Sequence, residues 1–136
     1  MRAKMHSRWR RQEGQSLVET AIMMVVILTT VFSIFELGWV MYTYSVLADA
    51  ANEGVRYAIV HSGGDPSGTQ AKVKTFAGTS MHDVRALATS VTFPDGSAAP
   101  PNRVRVAVTY SYIPYLPKFS MAPTMHTFAE GRMVAQ

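Results

Sequence analysis

The sequence predicts an α+β fold: a long N-terminal transmembrane helix, followed by a small domain in which a second helix packs on a two- to three-stranded antiparallel sheet. Three observations carry this. Residues 17–37 (LVETAIMMVVILTTVFSIFEL) are almost wholly apolar, with charges only at Glu19 and Glu36. Val73, Phe76, Ala77, Met81, Val84, Leu87 and Ala88 recur at helical spacing. Residues 103–113 (RVRVAVTYSYI) alternate apolar and polar, the period of a half-buried strand.

The apolar run comes first in the chain and in weight. At a rise of about 1.5 Å per residue its length is roughly 31 Å, matching a hydrocarbon core of about 30 Å. Its apolar residues surround the helix and leave no polar stripe, unlike the one-sided pattern of a helix packed on a small soluble core. The flanks set an orientation. Arg2, Lys4, Arg8, Arg10 and Arg11 precede the run, whereas Asp49 is the one charge in the fifteen residues after Leu37. Basic residues stay on the cytoplasmic side, so the N-terminus is expected inside and the C-terminal part outside. Trp39, Tyr42 and Tyr44 fall where an outer interfacial belt belongs, and Trp9 where an inner one does; helix–helix packing is the equal alternative for these aromatics. The chain thus divides into a basic leader (1–14), a long helix (15–62) and a small extracytoplasmic domain (63–136).

Composition removes several functions. Of 136 residues none is cysteine, which excludes disulfides, thiolate metal sites and Cys nucleophiles. The net charge of +4 resides in the leader; from residue 15 onward the formal charges balance. The folded part therefore lacks the basic surface that a nucleic-acid partner requires. His6, His61, His82 and His126 are scattered without metal-ligand spacing. Gly63-Gly64 lacks the Lys and Ser/Thr of a phosphate loop, and there is no G-x-S-x-G elbow. No catalytic residue, metal or cofactor is expected.

After the run, the helix is expected to continue through residues 44–60 (YSVLADAANEGVRYAIV), since no proline interrupts residues 15–65 and alanines favour helix. Ala50, Gly54 and Ala58 are spaced by four and line one face on which another helix can approach closely. Glu53 and Arg56, three apart, can pair across a turn for about 0.2–0.5 kcal/mol. Gly63–Gly68 reads as a turn, with Ser67 or Thr69 capping a second helix that runs to about Thr89. A short strand is expected at 91–93, a turn at Asp95-Gly96, a proline-enforced loop over 114–123 and a last strand over about 125–134.

Two segments carry chemistry or assembly. In the first, residues 10–20 (RRQEGQSLVET), a short basic leader ends in Gly14, apolar sequence begins at Leu17, and Glu19 is the fifth residue after the glycine. A carboxylate within a membrane helix costs about 2.5–3.5 kcal/mol at the bilayer centre, so it calls for a partner or a function. Snorkelling of Glu19 to the cytoplasmic headgroups is the plainer account of the same residue. The segment resembles the prepilin-peptidase site of type IV pilins and pseudopilins. That resemblance implies cleavage between Gly14 and Gln15, and pairing of Glu19 with the new α-amino group of a neighbouring subunit. The competing site, the A-x-A triplet Ala48-Asp49-Ala50, follows an apolar stretch far longer than a conventional signal peptide has.

With the second segment, Ala50, Ala51, Asn52, Glu53, Gly54, Val55, Arg56, Tyr57 and Ala58, the resemblance narrows. Both segments, at this separation, are similar to those of TadE-like proteins of the tight-adherence (Flp) pilus system; Thr20 stands where that family commonly has an aromatic. The resemblance implies a pseudopilin or minor pilin of a bacterial inner membrane. Its partners would be the prepilin peptidase, other pilins or pseudopilins, the inner-membrane assembly platform and membrane lipid. It also implies a helix-packing role for Ala50, Ala51, Glu53, Gly54, Arg56 and Tyr57. The alternative reading is an unprocessed single-pass scaffold of a secretion or pilus machine; a membrane-tethered enzyme is a third.

Overall fold

The computed structural model describes the backbone over residues 3–115 and 122–134. Most of the proline loop expected over 114–123, and the side chains of the leader, including Trp9, lie outside the described residues. The elements are α1 (Ala3–Ile59), a 3-10 turn (Ser62–Gly64), α2 (Pro66–Ser80), β1 (Leu87–Thr92), β2 (Arg103–Ser111) and β3 (Thr124–Arg132). The chain forms two units, one ending at Leu37 and one beginning at Gly38. The α+β class expected from the sequence is the class observed.

The first unit is a single run of helix. Its large apolar side chains point into open space: Leu17, Ile22, Met23, Val25, Ile34 and Phe35 are each more than 60% exposed. None of the most hydrophobic window of α1 is buried within the chain.

The second unit holds the core. β2 lies between β1 and β3 in an antiparallel sheet of order β1-β2-β3. Val104, Val106, Val108 and Tyr110 are fully buried on one face of β2, as the alternation of residues 103–113 requires. The register places Leu87 opposite Tyr110 and Val91 opposite Val106 on one side, and Met125 opposite Tyr110 and Ala129 opposite Val106 on the other. This face packs with Leu47, Ala50, Ala51 and Val55 from the last part of α1 and with Val73 and Ala77 from α2.

Small residues on α1 make this packing close. A Cβ placed on Gly54 would meet Val73 Cγ2 at 2.6 Å and Val106 Cγ1 at 3.1 Å. The face of Ala50, Gly54 and Ala58 is therefore filled by the chain's own second helix and sheet.

The chain turns out of α1 through three residues of positive φ, Gly63 (65°), Gly64 (70°) and Asp65 (30°). Two glycines permit this reversal at no Cβ cost. Asp65, in place of the expected Ser67 or Thr69, caps α2. Its carboxylate accepts from the Gly68 N–H at 3.2 Å, and Pro66 occupies the first turn, the usual place for a residue without an N–H.

α2 also stops sooner than expected. Met81 is its C-cap, with extended backbone, and Leu87 and Ala88 belong to β1 instead of the helical stripe. Gly78, Thr79 and Ser80 are weak helix formers. Asp83 then accepts from the Arg85 N–H at 2.8 Å, a local turn that competes with helix. Past that turn, Leu87, Thr89 and Val91 bury one face by pairing with β2. The observed β1 thus begins four residues before the strand expected at 91–93, while β2 and β3 match the strands expected near 103–113 and 125–134.

Between β1 and β2, Phe93 O accepts from the Gly96 N–H at 3.0 Å, closing the Asp95-Gly96 turn. The Asp95 carboxylate then accepts from the Arg103 backbone N–H at 2.8 Å, and from its Nη2 at 2.9 Å and Nε at 3.2 Å. These donors favour the carboxylate form and lower the Asp95 pKa to about 2. Arg103 and Arg105 also pair with Glu130 on the outer face of the sheet.

Two outcomes follow. Gly54→Leu inserts side-chain atoms where Val73 and Val106 already touch, and overpacking of this kind costs about 1–3 kcal/mol; thermal unfolding of the full chain in detergent, followed by circular dichroism, will show a lower midpoint. Because the folded pKa of Asp95 lies below its ordinary value of 3.8, its stabilising effect is present above that value and disappears as the pH falls through about 2. Stability measured between about pH 5 and pH 2 will therefore fall less steeply in Asp95→Asn than in the unaltered chain.

Candidate functional site

Two stretches of α1 carry the residues singled out in the sequence. In the first, the helix is continuous through Gly14, Gln15 and Glu19, and all three are exposed. Gln15 and Glu19 are one helical turn apart and so share a face. A Cβ on Gly14 would meet nothing within 4 Å, so the glycine is not there to admit a neighbour from this chain.

The polar side chains of the apolar run are handled in two ways. Thr20 donates to Ser16 O at 2.9 Å, Thr29 to Val25 O at 2.7 Å, Thr30 to Val26 O at 2.9 Å and Ser33 to Thr29 O at 2.8 Å. Each hydroxyl between Leu17 and Leu37 is thus satisfied within the helix, as a side chain facing hydrocarbon must be. An ionised carboxylate has no hydrogen to donate to such a carbonyl. Glu36 is buried and engaged. Glu19 is exposed, and among the described residues nothing bonds to it.

The second stretch splits into an inner and an outer set. Ala50 and Ala51 are fully buried, and Gly54 fills the tight contact with α2 and β2. Glu53 reaches across to α2, where its carboxylate lies 3.5 Å from Lys72 Nζ. The expected partner one turn along, Arg56, is instead an exposed residue of the helix surface.

Tyr57 closes the end of the stretch. Its hydroxyl donates to Asp65 Oδ2 at 3.2 Å, and its ring stacks on His61 at 3.7 Å between centroids. Asp65 also receives Ser67 Oγ at 3.0 Å. Burial raises the Tyr57 pKa, and the bond to the Asp65 anion raises it further. The Gly68 N–H, then Ser67 and Tyr57, lower that of Asp65. A Cβ at Gly68 would collide with Asp65 Oδ2 and sit 2.6 Å from the Tyr57 hydroxyl. Thr69, fully buried, donates to Gly64 O at 2.9 Å beneath this latch.

The structure therefore assembles Gly54, Glu53 and Tyr57 with Asp65, Gly68, Lys72 and Val73, residues of the turn and the second helix that the sequence does not connect to this stretch. The Asp65-Pro66 pair was a readable signal for the cap. The contacts of Lys72 and Val73 with α1 depend on the chain reversal and had no local signal. As geometry, the second stretch is an internal latch between α1 and α2, whereas the first is an uncovered helix with one open carboxylate.

A family model described as TadE-like protein matches residues 14–56, about a third of the chain. The match begins at Gly14 and takes in Glu19, the apolar run and the stretch from Ala50 to Arg56. No curated protein and no solved structure matches the chain.

Gly68→Ala will push apart Tyr57 and Asp65 and weaken the α2 cap, a loss of about 1 kcal/mol. Hydrogen exchange of the full chain will report faster opening at the α2 N-terminus, with the sheet amides of β2 less affected.

Proposed function

We propose, from the premise that this chain is over residues 14–56 a TadE-like protein of the Tad pilus system, that it acts as a pseudopilin or minor pilin supporting Flp pilus assembly. The observation that carries the proposal is the uncovered apolar helix, with Gly14 at its basic end and an open carboxylate at Glu19. Residues 17–37 make the protein a single-pass membrane protein. The five basic leader residues hold the N-terminus in the cytoplasm, and residues from Gly38 onward form the extracytoplasmic domain.

The mechanism has two steps. A prepilin peptidase removes residues 1–14 and leaves an α-amino group on Gln15. A free α-amino group is ordinarily a cation at neutral pH. The helix then packs with the helices of other pilins or pseudopilins at the inner-membrane assembly platform. Side chains from Leu17 to Leu37 exchange lipid for protein. The Glu19 carboxylate meets the amine of a neighbouring subunit, which relieves the cost of an isolated charge in lipid and sets the stagger between helices. The role is one of assembly, with no chemical step performed by this chain.

Intact-mass measurement on the protein recovered from cells tests the first step. The proposal expects an N-terminus at Gln15 and, in Gly14→Asp, an unprocessed chain. An N-terminus at Met1 or Arg2 in the unaltered protein contradicts processing and leaves a single-pass scaffold. Glu19→Ala is expected to insert and be trimmed normally while piliation, counted by electron microscopy, falls; normal piliation contradicts the role given to the carboxylate.

A further inference from the structure

The apolar run ends at Leu37, and Trp39 follows two residues later, about 3 Å further along a helix axis. Covalent continuity alone therefore keeps Trp39 within a turn of the lipid boundary. No Asp, Glu, Lys or Arg occurs between Glu36 and Asp49, so nothing charged separates the hydrocarbon segment from what comes next.

Trp39 gathers residues from distant parts of the chain. Its ring lies 5.2 Å from that of Tyr42 and 5.4 Å, edge-on, from that of Tyr115, in the segment after β2. Tyr115 in turn lies 4.6 Å from His82, in the connection between α2 and β1. Trp39 packs against the core with its indole N–H buried, while the two tyrosine rings beside it face outward. Tyr42 is 45% exposed and Tyr115 54%, and Ile113, two residues before Tyr115 in the chain, is 38% exposed. Rings with an apolar body and a polar tip, half exposed at this depth, have the character of side chains that settle among lipid headgroups.

We propose that Trp39, Tyr42 and Tyr115 form an interfacial foot through which the residues just after β2, Ile113 to Tyr115, rest in the headgroup layer of the membrane. The domain then has a second lipid contact besides the helix that anchors it. The inference rests on the reading of residues 17–37 as a membrane span. The occupant of the surface is lipid because the cluster is continuous with the span, and because Trp39 cannot leave the boundary while the span stays in the bilayer.

The absence of cysteine makes any introduced cysteine a unique labelling site. The full chain, carrying an environment-sensitive fluorophore at Ile113→Cys, Val26→Cys or Gln70→Cys, is reconstituted in phosphatidylcholine vesicles. These contain lipids bearing a nitroxide on the headgroup or midway along the acyl chain. Gln70 serves as the distant control. It is exposed and follows Thr69, which packs beside Gly54, and Gly54 is about 22 Å along the helix from Trp39.

The foot requires the Ile113 label to be quenched about twofold or more by the headgroup nitroxide. The Val26 label should be quenched by the acyl-chain nitroxide and the Gln70 label by neither. Tyr115→Ser should reduce quenching at position 113. An Ile113 label as unquenched as Gln70, with Val26 quenched, overturns the foot and leaves the span intact. An unquenched Val26 label removes the span, and the foot with it. Quenching at position 113 that is unchanged in Tyr115→Ser overturns the aromatic cluster as its cause.

Discussion

A helix that is apolar on every side cannot be covered by one small sheet, and α1 answers this constraint by changing its surface along its length. Between Leu17 and Leu37 its large apolar side chains are exposed among the described residues, and its hydroxyls bond to carbonyls one turn back. Between Leu47 and Ala58 the same helix narrows to alanine and glycine on one face, and that face is fully buried. The first surface suits a solvent of hydrocarbon. The second suits the close approach of a sheet and a second helix.

The small-residue stretch takes on a different meaning in this light. Spacing by four suggests a groove for a foreign helix, but Gly54 is already occupied by Val73 and Val106, and the Tyr57–Asp65 bond ties α1 to the start of α2. Surface left over for partners lies on the opposite side, where Asp49, Asn52 and Arg56 are exposed. Sequence identity in such a stretch is thus accounted for by the fold of the domain itself, which packs α1 against its own chain. The earlier part of the helix stays uncovered, and there the Glu19 carboxylate has no bonded partner among the described residues.

How much of this was legible depends on the range of the interactions. The alternation of residues 103–113 is local, and β2 appears where it predicts, with Val104, Val106, Val108 and Tyr110 inside. The apolar run is likewise local and unambiguous. The end of α2 was misread because Met81, Val84 and Leu87 keep helical spacing, while the decision lies with Gly78 to Ser80, the Asp83 turn and the pairing of Leu87 with Tyr110. Pairing with a strand 23 positions later leaves no trace in a helical count. The Glu53–Lys72 contact was hidden for the same reason, since it exists only after the reversal at Gly63–Asp65.

The account stands on residues 17–37 facing lipid, and a photoreactive probe dissolved in the bilayer tests that most directly. The full chain, in native membranes or in vesicles, is irradiated with such a probe, and the labelled peptides are mapped by mass spectrometry. Label concentrated between Leu17 and Leu37, and absent from the buried face at Leu47–Ala58, is the result expected. Equal labelling of both stretches, or none between Leu17 and Leu37, would contradict it.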